Sequence, residues 1–195
     1  MRMFIIFLSL LMVSHGLWAQ SQVAEVESLI KDRYRDHGDG TVTDIQTNLQ
    51  WMRCLIGQEW HNGRCQGRSQ EWAWDDAQKL KIDFAGHSNW RFPTIEELRG
   101  LVYCSSGKPA YFPNNGGMCE GGYQSPTLVR EAFPDASRSF VWSSSPVAGY
   151  PDYAWSVNFN GGGGNYYGRV NNGHVRLVRV GPTEVNITVH GKPLY

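Results

Sequence analysis

Ile95, Leu98, Leu101 and Val102 fall three and four residues apart, the spacing of one face of a helix. Thr94 stands just before them and Glu97 three residues on. This is a capping box, in which hydroxyl and carboxylate each accept a free N–H at a helix start. The pattern predicts a helix of about two to three turns from Thr94. Pro93 biases Phe92 toward extended backbone, so Trp90-Arg91-Phe92 enters as a short strand or bend. Trp90, Arg91, Pro93, Thr94 and Glu97 are read as a structural joint docking this helix on a sheet. Ser69 to Phe84 predicts the other main helix: Ser69 caps it, Glu71, Asp75 and Asp76 lie early, and Trp72, Ala73, Ala77 and Leu80 form an apolar stripe. Trp72 and Trp74, two residues apart, cannot share a helical face.

Elsewhere the pattern has period two or is broken by turn formers. Asp36 to Asp44 reads as an Asp-Gly turn feeding a strand, and Thr47 to Trp51 returns as a second strand with Leu49 and Trp51 on one face. Cys104 to Tyr123 holds five glycines with Asn and Pro and predicts a long loop. Pro126 to Phe133 has room for one turn of helix before Pro134. From Phe140 the texture is β, with Trp142 in the first strand. In the next, Tyr153, Trp155, Val157 and Phe159 alternate with small or polar residues, which predicts one buried face; Trp142 and Trp155 are both read as structural. Asn160 to Gly164 reads as a flexible loop. Tyr166 to Val170 and His174 to Val180 read as strands of a hairpin turned by Asn171-Asn172-Gly173. Val185, Ile187 and Val189 alternate once more in the tail.

The chain has 195 residues, enough for one domain with a single core. Arg2, the apolar run Met3 to Val13 and Ala19 describe a secretory signal peptide over 1–19, too short to span a bilayer. Residues 20–35 are expected to be a polar leader with a short helix, 36–180 the domain and 181–195 an extension. The expectation is an exported protein, periplasmic, cell-surface or extracellular, with no stable membrane insertion after cleavage. Charge adds little: 18 basic residues face 18 acidic, and loss of Arg2 leaves the mature chain near neutrality. Nothing in that balance favours nucleic acid. From Tyr153 to Thr183 there is no Asp or Glu, although Arg169, His174, Arg176 and Arg179 lie inside. That segment is either a basic face or, as slightly preferred, a β-rich stretch whose acidic partners lie elsewhere.

Cys54, Cys65, Cys104 and Cys119 are an even set in an exported chain, which predicts disulfides. Four cysteines allow three pairings, among which the sequence does not choose. The local pairing, Cys54–Cys65 and Cys104–Cys119, staples two loops and is the expected one; each closure is worth about 3 kcal/mol in the chain-entropy picture. Zinc at Cys65 with His61 is the rival, weakened by the missing Cys-x-x-Cys pair. No cofactor is expected. The Asp-Gly segment fails the calcium-loop pattern: with Gly40 at position six, Arg35 and His37 stand where acids are needed and Gln46 where Glu is needed. Asp36, Asp39 and Asp44 leave an irregular calcium site as the second reading beside a plain hairpin.

Six blocks, taken in order, carry a family resemblance. They are Asp36-x-Gly38-Asp39-Gly40-Thr41-Val42-Thr43-Asp44; Leu49-Gln50-Trp51; Trp90-Arg91-Phe92-Pro93-Thr94-x-Glu96-Glu97-Leu98; Trp142-Ser143-Ser144-Ser145; Ala154-Trp155-x-Val157-x-Phe159; and Val175-Arg176-Leu177-Val178-Arg179. Together they resemble a bacterial family typified by the C-terminal domain of the Legionella collagen-like adhesin. Phe92 replaces the usual Leu of the central block. The resemblance implies an α+β, C-type-lectin-like single domain: two main helices packed on irregular antiparallel sheet, loop-rich and disulfide-stapled. It also implies an exported or surface protein. In that adhesin the domain is associated with sulfated polysaccharides, with no shared residue set to carry over.

The function expected first is a non-catalytic binding or adhesion module for carbohydrate, sulfated or not, or for a cell-surface partner. Tyr150, Tyr153, Asn165, Tyr166, Tyr167 and Arg169, around the glycine-rich stretch, are the candidate ligand residues; for each, plain sheet packing is at least as good a reading. A sulfated ligand would add Arg176 and Arg179, whose alternation puts them on different faces. A structural subunit of the envelope or of a pilus is the alternative. An enzyme is the third reading. The central block and the closing Val-Arg-Leu-Val-Arg also look like formylglycine-generating enzymes, but those use a late cysteine pair and no cysteine follows Cys119 here. The histidines are scattered singly, and no nucleophile elbow is present.

Overall fold

A computed structural model describes residues 28–109, 111 and 117–182. The expected signal peptide, most of the leader and the tail beyond Pro182, with its alternating run, lie outside the described residues.

The Asp-Gly hairpin forms as the sequence suggests and gains a strand before it. β1 (Tyr34–Asp36), β2 (Thr41–Asp44) and β3 (Leu49–Met52) pair antiparallel, and β11 (Val178–Val180) adds on the far side of β3. Asp39 makes the first turn: its Oδ1 accepts the Thr41 N–H at 2.9 Å and the Thr41 hydroxyl at 2.6 Å. Gly40 has φ +90°, and a Cβ there would lie 2.8 Å from the Trp60 side chain, so both conformation and space demand glycine. The folded unit reaches back past residue 36. Tyr34 is fully buried, and Arg33 pairs with Asp44 inside the core.

A second sheet of five strands has the order β6 (Glu71–Ala73), β10 (Asn172–His174), β7 (Phe140–Val147), β8 (Tyr150–Asn158), β9 (Gly163–Gly168). Only the β10–β7 contact is parallel. Val141 and Val157 enter one core cluster, whereas Trp142 and Ala154 enter another. Successive strand residues point to opposite faces, so this end of the sheet is covered on both sides. A two-stranded ribbon, β4 (Glu59–His61) with β5 (Arg64–Gln66), completes the set. Both local disulfides are formed, Cys54–Cys65 and Cys104–Cys119.

The expectation of two main helices packed on a sheet is overturned. The described helices are α1 (Trp74–Ala77) and α2 (Ile95–Arg99), one turn each, and the fold is mostly β. The first expected helix fails because tertiary pairing claims its start. Trp72 lies opposite Gly173 in the β6–β10 ladder, and the Trp74 N–H donates to the Arg169 carbonyl at 2.9 Å. The Trp74 indole N–H then donates to the buried Ser143 carbonyl at 2.7 Å, fixing the chain after only one helical turn. A helix this short has little stability of its own and depends on such anchors. At α2 the capping box is present as read: Thr94 Oγ1 accepts from Glu97 N at 3.2 Å and Glu97 Oε2 from Thr94 N at 2.8 Å. The helix stops at Gly100, so Leu101 and Val102 reach the core from the turns that follow.

Three β expectations also change. Asn171-Asn172-Gly173 does not turn a hairpin: β10 inserts between β6 and β7, and residues 178–180 leave for the other sheet. Gly173 serves close approach instead, since a Cβ there would collide with the Phe140 ring and lie 2.7 Å from Trp142 Nε1. The run 161–164 is not a loose loop. Gly161, Gly162 and Gly163 are buried, and Met118 and Val102 occupy the space their side chains would need. In β8, burial is not confined to one face: Ala154 and Ser156 are as buried as Val157, whereas Tyr153 is exposed.

Candidate binding face

β8 and β9 are in register with Trp155 opposite Tyr166, Ala154 opposite Tyr167 and Ser156 opposite Asn165. Cross-strand partners share a face, so Tyr153, Trp155 and Tyr166 project to one side and Tyr167 and Asn165 to the other. Gly168, opposite Tyr153, leaves that ring room. Tyr150, placed where β7 turns into β8 beside Gly149 (φ +78°), extends the row. The rings meet edge to face in sequence: Tyr150–Tyr153 at 6.3 Å, Tyr153–Tyr166 at 5.8 Å and Tyr166–Trp155 at 5.4 Å between centroids. This is the favoured geometry for rings with a negative face and a positive edge. Tyr150, Tyr153 and Tyr166 are 62%, 40% and 54% exposed, so the ladder faces solvent.

Of the six candidate ligand residues, the structure therefore gathers three, Tyr150, Tyr153 and Tyr166, and adds Trp155. The alternation of Tyr153 with Trp155 was visible in the sequence but read as a buried stripe. Tyr167 stacks on Phe140 at 4.4 Å and meets Trp142 edge-on at 6.3 Å, both on the opposite face. Arg169 lies over the Trp74 ring at 4.1 Å, with Asp75 at 3.8 Å. The Asn165 amide donates to the Gly163 carbonyl at 3.4 Å.

The three arginines considered for a sulfated ligand do not converge. Arg176 is 1% exposed, donates to the Met52 carbonyl at 2.6 Å and to that of Arg53, and lies 4.8 Å from the Phe133 ring centroid. Burial pushes its pKa down to about 9, with Tyr34 opposing the shift. Arg179 donates to Asn89 Oδ1 at 2.9 Å and to Gln50 Oε1. Among the described residues, the acidic partners expected elsewhere for this segment are Asp75 for Arg169 and Glu71, 3.5 Å from His174.

The carboxylates of the first hairpin are occupied separately. Asp44 binds Arg33, Asp36 binds the Gly38 N–H and Arg53, and Asp39 binds Thr41. Among the described residues no three His, Cys, Asp or Glu side chains gather as a metal site. Cys65 is held in a disulfide and His61 faces Asn62 at 3.0 Å. The Trp90–Glu97 joint is built from several bonds. Arg91 pairs through its backbone with Val178 and clamps Glu97 at 2.7 and 2.8 Å, while Trp90 and Phe92 are buried in the second cluster. Trp142 is fully buried and donates to the Trp72 carbonyl at 3.0 Å. Ser143 donates to the Trp155 carbonyl at 2.7 Å, and Ser145 Oγ accepts the Ile95 N–H at 3.0 Å, tying α2 to β7.

Fold and face define a small β-rich module, twice bridged by sulfur, with an aromatic row on its surface. Residues 40–179 match the family described as the Lcl C-terminal domain, and the chain belongs to that family, whose type is the Legionella collagen-like surface protein. No curated protein and no solved structure matches the chain. The disulfides and the family together point to export. Among the described residues no helix is long and apolar enough to cross a membrane.

Proposed function

We propose that this chain is an exported, non-catalytic, adhesion-type module that binds carbohydrate through the Tyr150–Tyr153–Tyr166–Trp155 ladder. The observation that carries this reading is the ladder itself: four contiguous rings, of which three, Tyr150, Tyr153 and Tyr166, are exposed and Trp155 is half-buried at its end. Sugar rings offer C–H faces that lie well on aromatic rings, and phenol hydroxyls can bond the sugar hydroxyls at the edge. The ligand favoured is a neutral polysaccharide, because Arg169, Arg176 and Arg179 are engaged elsewhere.

The test is binding of neutral and sulfated polysaccharides at low and high salt, with Tyr153→Ser and Tyr166→Ser compared with the parent. Loss of one edge-to-face aromatic contact corresponds to roughly threefold to tenfold in affinity. The expected result is salt-insensitive binding weakened by both variants. Binding that salt abolishes and the tyrosine variants leave unchanged would overturn it.

An assembly subunit of the envelope is the second reading, favoured by β9. It ends the five-stranded order, and among the described residues no strand pairs with its outer edge. Concentration-dependent self-association that disappears on introducing proline into β9 would support that reading over the first.

A further inference from the structure

A second feature shares no residue with the aromatic ladder. Where the chain leaves α1 and passes the Trp90–Phe92 segment, it leaves an open cleft of about 320 Å³. Its lining is mixed, and the apolar part comes from Trp90 and Phe92 of the joint, Leu80 from the turn after α1, and Leu177. Its polar side chains include several hydrogen-bond donors. Gln78 lines the cleft with its side-chain amide nitrogen buried and without a partner, a costly state for a donor. Ser144 gives its N–H to the Pro93 carbonyl at 2.7 Å, and its hydroxyl has no partner among the described residues.

Charge decides what the cleft would take. Arg91 is already neutralised by the two-pronged contact with Glu97. Lys79 is held by Asp76 at 2.8 Å and does not line the cleft. Lys81 does line it, is exposed, and has no acidic partner among the described residues. One free ammonium, two free neutral donors and an aromatic wall match an anion attached to an apolar body. A bare inorganic anion would leave the apolar side of the cleft unfilled, and a neutral aromatic would leave Lys81 unused.

We propose that this cleft is a binding site for small carboxylic acids with an aromatic or branched apolar body. The carboxylate meets Lys81 and the free donors of Gln78 and Ser144, and the body lies against Trp90 and Phe92. The site is separate from the carbohydrate reading and stands or falls independently of it.

Phenylacetate is the probe, with acetate and 2-phenylethanol as the two halves of its chemistry, and the readout is the indole N–H resonance of Trp90 in the full chain. Phenylacetate is expected to shift that resonance saturably with an affinity on the order of millimolar, as suits a ligand of its size. Acetate and 2-phenylethanol are each expected to bind at least about tenfold more weakly. Lys81→Met, which keeps the stem and removes the charge, should weaken phenylacetate about fivefold or more, and Ser144→Ala about threefold. Lys79→Met and Tyr166→Ser should leave it unchanged. The proposal is overturned if phenylacetate gives no saturable shift. It is also overturned if 2-phenylethanol binds equally well, or if Lys79→Met and Lys81→Met weaken binding alike, which would mark a diffuse charge effect.

Discussion

The Arg33 guanidinium grips the Asp44 carboxylate with two bonds, Nε to Oδ1 at 3.0 Å and Nη2 to Oδ2 at 2.6 Å, and both side chains are sealed from solvent. The same Nη2 also donates to the Gly100 carbonyl at 3.0 Å, and the guanidinium lies 4.4 Å from the Tyr111 ring centroid. Burial opposes the charge on Arg33, but the hydrogen bond to Asp44 and the surrounding field outweigh it and raise its pKa. The pair thus joins the segment before β1, the first hairpin and the end of α2. Removing one partner leaves a buried charge uncompensated, so Arg33→Met or Asp44→Asn should cost about 3–5 kcal/mol in urea unfolding. The double variant should cost clearly less than the sum of the two singles. Additive losses would show that the two groups act separately.

A second arginine–carboxylate pair sets an acid sensitivity. Partial burial of Glu97 raises its pKa, but the hydrogen bonds from Arg91 and the Thr94 N–H, with the Arg91 charge, bring the net value below the ordinary glutamate range. A carboxyl whose folded pKa is depressed contributes stability that is fully present above its unfolded pKa. That contribution disappears as pH falls through the folded value. Unfolding measured from neutral pH down past the glutamate range should therefore show an acid limb that Glu97→Gln flattens. Thr94→Ala removes the reciprocal cap and should cost about 1 kcal/mol at neutral pH. An acid limb of unchanged slope in Glu97→Gln would assign the sensitivity to other carboxylates.

What could be read from the sequence was local. The Thr94/Glu97 box and the Asp39-Gly40 turn each depend on residues within a short stretch, and local chemistry fixes them, whereas the sequence offered the local disulfides as one of three pairings. The failures were long-range. Trp72 looks helical until Gly173, a hundred residues on, supplies a strand for it to pair with. The glycines at 161–164 look like slack until Met118 and Val102 are seen to fill the space above them. Periodicity placed Tyr153 and Trp155 on one face but could not say that the cover over Val157 stops before reaching them. The candidate face was therefore half legible: its tyrosines were named, while only the structure shows Tyr167 stacked on Phe140 and Arg169 over Trp74, away from the ladder.

The bridge Cys104–Cys119 closes the long glycine-rich loop with a sequence separation of 15. Both cysteines lie in the main core cluster, and the Cys119 N–H donates to the Gly161 carbonyl at 2.9 Å. Constraining a loop of that length in the unfolded chain is worth about 3 kcal/mol. Cys104→Ala with Cys119→Ala should lower stability by about that much, visible as a lower urea midpoint. The Cys54–Cys65 closure, with a separation of 11, should give a slightly smaller loss from the corresponding pair of alanines. A loss for Cys104/Cys119 far below 1 kcal/mol would mean the core already orders the loop without the bond.

Gly162 sits where three constraints coincide. Its φ is +81°, a region that residues with a Cβ rarely adopt, and its N–H donates to the Asn158 carbonyl at 2.8 Å to complete the β8–β9 turn. A Cβ built there would lie 2.6 Å from Val102 Cγ1, inside contact distance of a side chain in the fully buried core. Gly162→Ala thus adds backbone strain and overpacking together, and should destabilise by about 2–4 kcal/mol. Gly149, with φ +78° and nothing near its absent Cβ, separates the two effects. Gly149→Ala should carry only the backbone cost, about 1 kcal/mol. Restoring space in Gly162→Ala with Val102→Ala should then recover part of the loss. If it recovers none, the conformational cost dominates and Val102 is a bystander.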